Sequence, residues 1–534
     1  MKRGIVVIAW MMSVYGLTAQ PSKTSVKSPK LVVGMMVDQM RWDFIYRYQH
    51  RYGEGGFKRI LREGFTNEDA HIPFAQTVTA IGHACVYTGS VPAFNGIMGN
   101  EWYDRSLKRS MYCVEDDSVS VIGGEGNFGP KSPRNLQSTT ISDELELATN
   151  FRSKIVGVAL KDRGSILSVG RSGDAAYWYE TSSGNFISSS WYMKALPGWA
   201  ASFNARKVVD SLYGLPWALS YPFGSYTQSD QLNPSYAKNP FPRDFSANKG
   251  KTYGAIASTP WGNTLTMAFS IAAIEGEQLG ADSITDLLAI SLSTPDYIGH
   301  AVGPNSVEIE DVYIKLDREL AAFFSYLDKK VGKGNYLFFL TADHGVAHVP
   351  AFMQSHNLPA KAMRSNKNAE MATLKKFGLS RLVEATANHQ VYLNHHYLDS
   401  MKAPREAVKH YFIERLNEEP DVLLAFDNAS IAMVNLPAEY KEMFQKGYNR
   451  ELAGDIQVVY RPGYIYSSNP AGTTHGSMYP YDSHIPLLWM GWGVKQGAGY
   501  RKVYMSDIAP TVAALLRIQA PSGNVGTIIH ELIK

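Results

Sequence analysis

Three carboxylates and three imidazoles of the kinds that hold a divalent cation stand far apart in this chain, each beside an apolar run or in a glycine-flanked turn. Asp38 ends LVVGMMVD, Asp296 and His300 follow DLLAISLSTP four residues apart, Asp343 and His344 lie in YLFFLTADHG, and His475 lies in AGTTHGSMYP. Singly, each has an ordinary reading: an aspartate after a strand caps a helix or makes a turn, and a lone histidine is a surface or core residue. Together they have the stoichiometry of two sites with three protein ligands and an open position each, the pattern of catalytic rather than structural zinc. Two such ions about 4 Å apart can hold an attacking and a leaving oxygen in line, which is the chemistry of phosphoryl transfer.

That chemistry needs a nucleophile. The stretch FAQTVTAIGHACVYTGSVPAFNGIMGN, Phe74 to Asn100, has no acid, lysine or arginine but offers the hydroxyls of Thr77 and Thr79. A threonine is a weak nucleophile at its free pKa and needs an activating group such as a metal ion. A second constellation is VALKDRGSI, Val158 to Ile166. A strand running on through it would point Lys161 and Arg163 to one side and Asp162 to the other. Alone they read as solvated charges; beside a dinuclear site they become a clamp for the free oxygens of a phosphate.

The elements that must position these groups are legible as alternating patterns. LVVGMMVD (31–38), KIVGVAL (154–160), DLLAISLS (286–293), YLFFLTAD (336–343) and IPLLWMGW (485–492) read as strands. Their near-continuous apolar character fits a sheet buried on both faces. From Asn305 to Lys330, Val307, Ile309, Val312, Leu316, Leu320, Phe323 and Leu327 recur at helical spacing, with Asn305 as the expected cap and Glu308 three residues on. The expected fold is α/β: a mainly parallel central sheet flanked by helices. In such a sheet ligands bind outside the carboxyl ends of the strands, where Asp38, Asp296 and Asp343 would all emerge. Two regions break the alternation, at about 174–251 and about 356–463, and are expected to be insertions that cap the sheet and shape a substrate pocket.

Composition bounds the rest. A chain of 534 residues with 45% hydrophobic and 19% charged residues is an ordinary globular protein. A formal charge of +3 without a dense Lys/Arg run gives no signal for nucleic acid. MKRGIVVIAWMMSVYGLTAQ has the order of a secretory signal peptide over residues 1–19, with cleavage expected near Ala19. Its apolar run is shorter than a bilayer span, so the mature chain is expected to be periplasmic or secreted, with no membrane span. Two cysteines, Cys85 and Cys113, make no disulfide framework, and one bridge or two buried thiols remain open.

The segments VDQMRWD, AQTVTAIGHACVYTGSVPAFNGIMGNEWYD, LKDRG, STPDYIGHAVGP, TADHGVAHVP and THGSMYPYDSHIPL run in order through the chain. They resemble the alkaline phosphatase superfamily, in its nucleotide pyrophosphatase/phosphodiesterase-related branch, and are most similar to secreted phosphate-irrepressible (PafA-type) alkaline phosphatases. The resemblance implies an alkaline phosphatase-like catalytic domain over 20–534, carrying two zinc ions and hydrolysing small-molecule phosphate monoesters. One zinc would be held by Asp38, Thr79, Asp343 and His344, the other by Asp296, His300 and His475. Thr79, which the family pattern places just before Ala-Ile-Gly-His, would form a phosphothreonine that a zinc-bound water hydrolyses. Asn100, Lys161 and Arg163 would bind the phosphate oxygens, the phosphoryl group facing the amides that open the helix TAIGHACVY. A phosphodiesterase of the same branch lacks the Lys-x-Arg pair, so that pair favours monoesters. A sulfatase needs a Cys-x-Pro-x-Arg context, whereas Cys85 is followed by Val-Tyr-Thr-Gly. A non-catalytic phosphate-binding protein on the same scaffold is the remaining alternative, disfavoured by the full set of ligands. His348 and His484 lie close in sequence to proposed ligands and are expected to orient a ligand or carboxylate.

Overall fold

The computed structural model describes residues 28–227, 240–363, 367–466 and 471–534; the expected signal peptide lies outside them. The central sheet has ten strands: β1 (Leu31–Val37), β2 (Phe65–Asn67), β3 (Val121–Ile122), β4 (Ile155–Ala159), β5 (Ala175–Glu180), β6 (Asn185–Ser189), β7 (Asp286–Leu292), β8 (Tyr336–Thr341), β9 (Leu487–Gly491) and β10 (Gly497–Gly499). Their order is β10-β2-β9-β8-β1-β7-β4-β5-β6-β3. The middle of the sheet, β8-β1-β7-β4-β5, is parallel, as expected from strands apolar on both faces. The IPLLWMGW strand, β9, runs antiparallel to β8.

Register brings the strand ends level. Val37 pairs with Leu292, Met36 with Thr341, and Ser291 with Ala159, so β1, β7, β8 and β4 finish on one rim. The residues just beyond those ends include Asp38, Lys161, Asp296 and Asp343. Because β9 is antiparallel and Leu487 pairs with Thr341, its beginning lies on the same rim, and the His475 loop precedes it. β1 is also the switch point of the sheet, with later strands on both sides of it, which is where open α/β sheets leave a crevice.

Three helices deliver site residues to this rim. They are α1 (Thr79–Thr88), α2 (Asp162–Val169) and α3 (Thr294–Val302). Helix α1 is buried along its whole length and packs on β1: Tyr87 Oη donates to the Gly34 carbonyl at 3.3 Å. A Cβ on Gly34 would lie 2.5 Å from the Phe339 ring and 2.6 Å from Tyr87 Oη, so the strand needs glycine there. The long helix α4 spans Val307–Leu327, with its apolar stripe in the main core as expected. Its cap is Ser306, whose Oγ accepts from Ile309 N at 3.3 Å, and not Asn305, whose side chain instead pairs with His348 Nδ1.

Of the two irregular regions, 174–251 opens with β5 and β6, which extend the central sheet. The region 356–463 builds a four-stranded antiparallel sheet in the order 383–387, 390–393, 456–460, 422–427, with its own core around Leu382, Val391, Val408, Phe412 and Ile456. A small third cluster joins Ala75, just before α1, to Phe426 and Phe444 of that region and to Met478 and Tyr479 beside His475. Cys85 and Cys113 are free, buried thiols. Among the described residues no helix is long and apolar enough to cross a membrane.

Candidate dinuclear metal site

The rim gathers the expected ligands into two adjoining groups. Asp38, Asp343 and His344 form one, fully buried, with His344 Nε2 3.5 Å from Asp38 Oδ1 and 3.7 Å from Asp343 Oδ2. In the other, Asp296 Oδ1 is 3.1 Å from His300 Nε2 and 3.7 Å from His475 Nε2. The groups abut: the rings of His344 and His475 stack at 3.4 Å. Helix α3 explains the spacing in DLLAISLSTPDYIGH, because Asp296 and His300 are four residues apart and share a face of it.

These residues fit cations. Asp38 Oδ1, Asp343 Oδ2 and His344 Nε2 are buried polar atoms with no hydrogen-bond partner, and they face one another. Leaving such atoms unpaired in an apolar interior costs about 1–3 kcal/mol each, more for charged groups, unless an ion satisfies them. Each ligand histidine turns Nδ1 to a backbone carbonyl: His344 to Gly345 at 2.9 Å, His300 to Thr473 at 2.9 Å and His475 to Thr77 at 2.7 Å. That fixes the Nδ1–H tautomer and leaves every Nε2 lone pair aimed at the carboxylates. Burial lowers the pKa of His344, and burial with the neighbouring His344 and His300 lowers that of His475 well below the usual value, so both stay neutral. Burial also opposes charge on His300, but Asp296 beside it outweighs this and raises its pKa. Asp343 is pushed well above the carboxylate range by burial and then by Asp38, a like-charge conflict that a cation relieves.

Thr79 is the first residue of α1 and 1% exposed. Lys161 Nζ reaches within 3.5 Å of its Oγ1. The rival Thr77 has its hydroxyl committed, donating to Ser477 O at 2.9 Å and accepting from Gly476 N at 3.2 Å. Asn100 Oδ1 accepts from Ala80 N at 3.0 Å, tying this residue to the first turn of α1 and leaving its Nδ2 hydrogens as donors. His83, four residues after Thr79, is buried and bridges Thr79 O and Ser291 Oγ, each at 2.9 Å.

The Lys161/Arg163 pair differs from its expected geometry. β4 stops at Ala159 and α2 begins at Asp162, so Lys161 sits at the helix cap and the strand alternation does not reach it. The two side chains consequently diverge. Lys161 Nζ bridges Asp38 Oδ2 and Asp296 Oδ2 at 2.6 Å each, linking the two ligand groups. Burial opposes its charge, and Asp296 and Asp38 more than restore it. Arg163 Nη1 donates to Tyr112 Oη at 3.1 Å, and Tyr112 in turn donates to Asp162; the Arg163 Nε is buried without a partner.

Gln39, which follows the first ligand and reads in the sequence as a helix-start or packing residue, belongs to the site. It is 2% exposed with φ of 65°, and it touches both ligand groups: its N–H donates to Asp343 Oδ1 at 3.1 Å and its Nε2 to Asp296 Oδ1 at 2.6 Å. A left-handed glutamine is strained unless its surroundings hold it, but no sequence pattern announces that conformation. Gly299 makes room for it, since a Cβ there would lie 1.8 Å from Gln39 Oε1. His348 and His484 do not reach the ligands. His348 lies 3.2 Å from Arg41 and also pairs with Asn305, while His484 stacks between Trp42 and His71. Asp69, His71 and His484 come close enough to suggest a separate cation site. Their imidazoles stack at 4.6 Å and 10°, however, so the in-plane lone pairs run parallel rather than converge, and the charge of Lys502 also acts on His71.

Comparison with known proteins gives the family. Residues 32–482 match the family model for type I phosphodiesterase / nucleotide pyrophosphatase. The chain is 46% identical over 542 residues to alkaline phosphatase PafA of Elizabethkingia meningoseptica, covering 98% of each chain. It is 46% identical over 526 residues to alkaline phosphatase PhoV of Synechococcus elongatus, covering 96% of this chain and 95% of that one. The crystal structure of wild-type PafA superposes with a TM-score of 0.93 over 95% of this chain and 99% of that one. The chain belongs to the type I phosphodiesterase / nucleotide pyrophosphatase family of the alkaline phosphatase superfamily, among relatives that are alkaline phosphatases.

Proposed function

We propose that this chain is an exported alkaline phosphatase that hydrolyses small-molecule phosphate monoesters with two zinc ions and a phosphothreonine intermediate. One observation carries the reading: two ligand groups, one of them fully buried with three unpartnered ligand atoms, adjoin each other beside a hydroxyl at a helix N-terminus. Asp38, Asp343, His344 and Thr79 would hold one ion and Asp296, His300 and His475 the other. When bound, the ions supply the positive charge that lowers the pKa of the attacking hydroxyl and offsets charge on the leaving oxygen.

The chain's own residues do the rest. Thr79 Oγ gives up its proton to solvent and attacks phosphorus; the new O–P bond forms as the ester O–P bond breaks, and the leaving oxygen departs to take a proton from solvent. Water then attacks the phosphothreonine, regenerating the hydroxyl and releasing phosphate. The amides opening α1 face the negative phosphoryl oxygens, and Asn100 adds a donor fixed to the same turn. Lys161 brings positive charge within 3.5 Å of the nucleophile, and Arg163, half-buried, is the second cation. A monoester carries more charge than a diester, so these two cations stabilise it preferentially. The specific ground for the alternative, diester hydrolysis, is the family description itself. The crystallised PafA has also been solved with threonine-to-serine, asparagine-to-alanine, lysine-to-alanine and arginine-to-alanine substitutions, the same residue types as Thr79, Asn100, Lys161 and Arg163.

Thr79→Ala should abolish turnover of para-nitrophenyl phosphate without loss of bound metal; full turnover would defeat the nucleophile assignment. Replacing Lys161 and Arg163 together with alanine should lower kcat/KM for the monoester far more than for bis-para-nitrophenyl phosphate. Equal losses on the two substrates would remove the basis for preferring monoesters. The export reading rests on residues 1–19, and finding the processed chain in the cytoplasmic fraction would overturn it.

A further inference from the structure

The candidate phosphate donor Asn100 is held from outside the central domain. Its loop precedes the strand Glu101–Asp104, and the irregular region 356–463 reaches it through a hairpin whose strands are Val383–Ala387 and Gln390–Leu393. The two turn residues of that hairpin, Asn388 and His389, have φ of 52° and 59°. Such a two-residue turn with both residues left-handed is the kind that asparagine tolerates and most other residues resist. The hairpin is itself anchored, because the His389 carbonyl accepts from Val458 N at 2.9 Å and from Gln457 Nε2 at 3.1 Å.

From this anchored turn the Asn388 side chain donates Nδ2 to two carbonyls, Met98 O at 3.1 Å and Glu101 O at 3.0 Å. These carbonyls flank Asn100, so one amide straps both ends of the loop that carries it. Gly99, between them, has the sequence signature of the same contact: a Cβ there would sit 2.1 Å from Asn388 Nδ2 and 2.6 Å from Asn388 Cγ. On the other side, the Asn100 carbonyl accepts from Cys113 N at 2.9 Å and its Oδ1 accepts from Ala80 N at 3.0 Å. Of these hydrogen bonds made directly to the Asn100 loop, those of Asn388 come from the 356–463 region.

We infer that Asn388 is a positioning residue for phosphate binding: the region 356–463 sets the place of the Asn100 donor through the Asn388 amide, beyond any part it plays in walling the site. This rests on the reading of Asn100 as a phosphate donor. Displacements of about 1 Å in a group that meets the reacting centre lower rates by about 100-fold, and a loosened loop should lose part of that.

Asn388→Gly is the test variant, since glycine keeps the left-handed turn and removes only the amide. Steady-state hydrolysis of para-nitrophenyl phosphate and inhibition by inorganic phosphate would be measured for wild type, Asn388→Gly, Asn100→Ala and the double variant, with bound metal counted in each. The inference expects kcat/KM to fall by about 10-fold or more in Asn388→Gly, the inhibition constant for phosphate to rise in step, and the metal content to hold. It expects less than a twofold further loss when Asn388→Gly is added to Asn100→Ala. Gly99→Ala, which crowds the same amide from the other side, should reproduce the loss of Asn388→Gly. A loss of equal size in the Asn100→Ala background would overturn the inference, as would an unaffected Asn388→Gly beside a damaged Asn100→Ala. If Asn100→Ala alone retains full activity, the donor reading itself falls, and the inference with it.

Discussion

Gly82 offers the sharpest test of whether the geometry around Thr79 matters to chemistry rather than only to folding. It lies in the first turn of α1, three residues after Thr79, with its N–H on the Val78 carbonyl at 3.1 Å. A Cβ at this position would meet the Asp343 carbonyl oxygen at 2.5 Å, the Asp343 Cβ at 2.6 Å and its Cα at 2.7 Å. All three are atoms that no rotamer change moves away. Reaching ordinary contact at 3.4 Å requires α1 and the Asp343 turn to part by about 0.9 Å. Asp343 is held by Gln39 N, and the neighbouring Gly345 N by Asp482 O, so the displacement should fall mainly on α1 and carry Thr79 with it. A misplacement of this size at a reacting group lowers kcat/KM by about 100-fold, or about 2.7 kcal/mol of transition-state stabilisation. Folding should suffer less. Overpacking costs about 1–3 kcal/mol, and replacing a helical glycine with alanine returns up to about 1 kcal/mol. Gly82→Ala should therefore keep a cooperative thermal transition while losing about two decades of kcat/KM on para-nitrophenyl phosphate. A variant within threefold of wild type would refute the claim that the α1–Asp343 contact sets the nucleophile's place.

Two further outcomes bear on the metal site. Gln39→Leu removes the amide that donates to Asp296, and apparent zinc affinity, read by competition with a chromogenic chelator, should weaken by about 10- to 100-fold. Unchanged affinity would reduce Gln39 to a packing residue. Dialysis against a chelator should abolish turnover and lower the thermal midpoint, since ions bound only by the folded state stabilise it, and zinc should restore both at two ions per chain by elemental mass spectrometry. Full activity with less than one ion per chain would refute the dinuclear reading.

What could be read from the sequence followed from how long a pattern persists. The five apolar strands and the helix after Pro304 repeat one physical motif over many residues, and the structure bounds each strand within two residues of the reading. The ligand residues were legible because each stands just beyond such a strand or before one, and parallel register does the rest: once Val37, Leu292 and Thr341 end level, the residues after them must meet. The groups that were misread or missed are those whose position depends on a local change of backbone. Lys161 and Arg163 were placed by running a strand on past its end at Ala159, through the turn and into α2. The turn into α2 breaks the alternation, so the pair diverges, one toward the carboxylates and the other toward Tyr112. Gln39 and Asn388 are left-handed residues whose amides act across about 300 residues of chain or close to it, and composition holds no trace of such contacts. Their only trace in the sequence is a glycine elsewhere, Gly299 for Gln39 and Gly99 for Asn388, each without a side chain because the amide needs the space. Read in isolation, either glycine marks a turn or a loop. Paired with the residue that fills its space, each marks where one part of the chain holds another at the site.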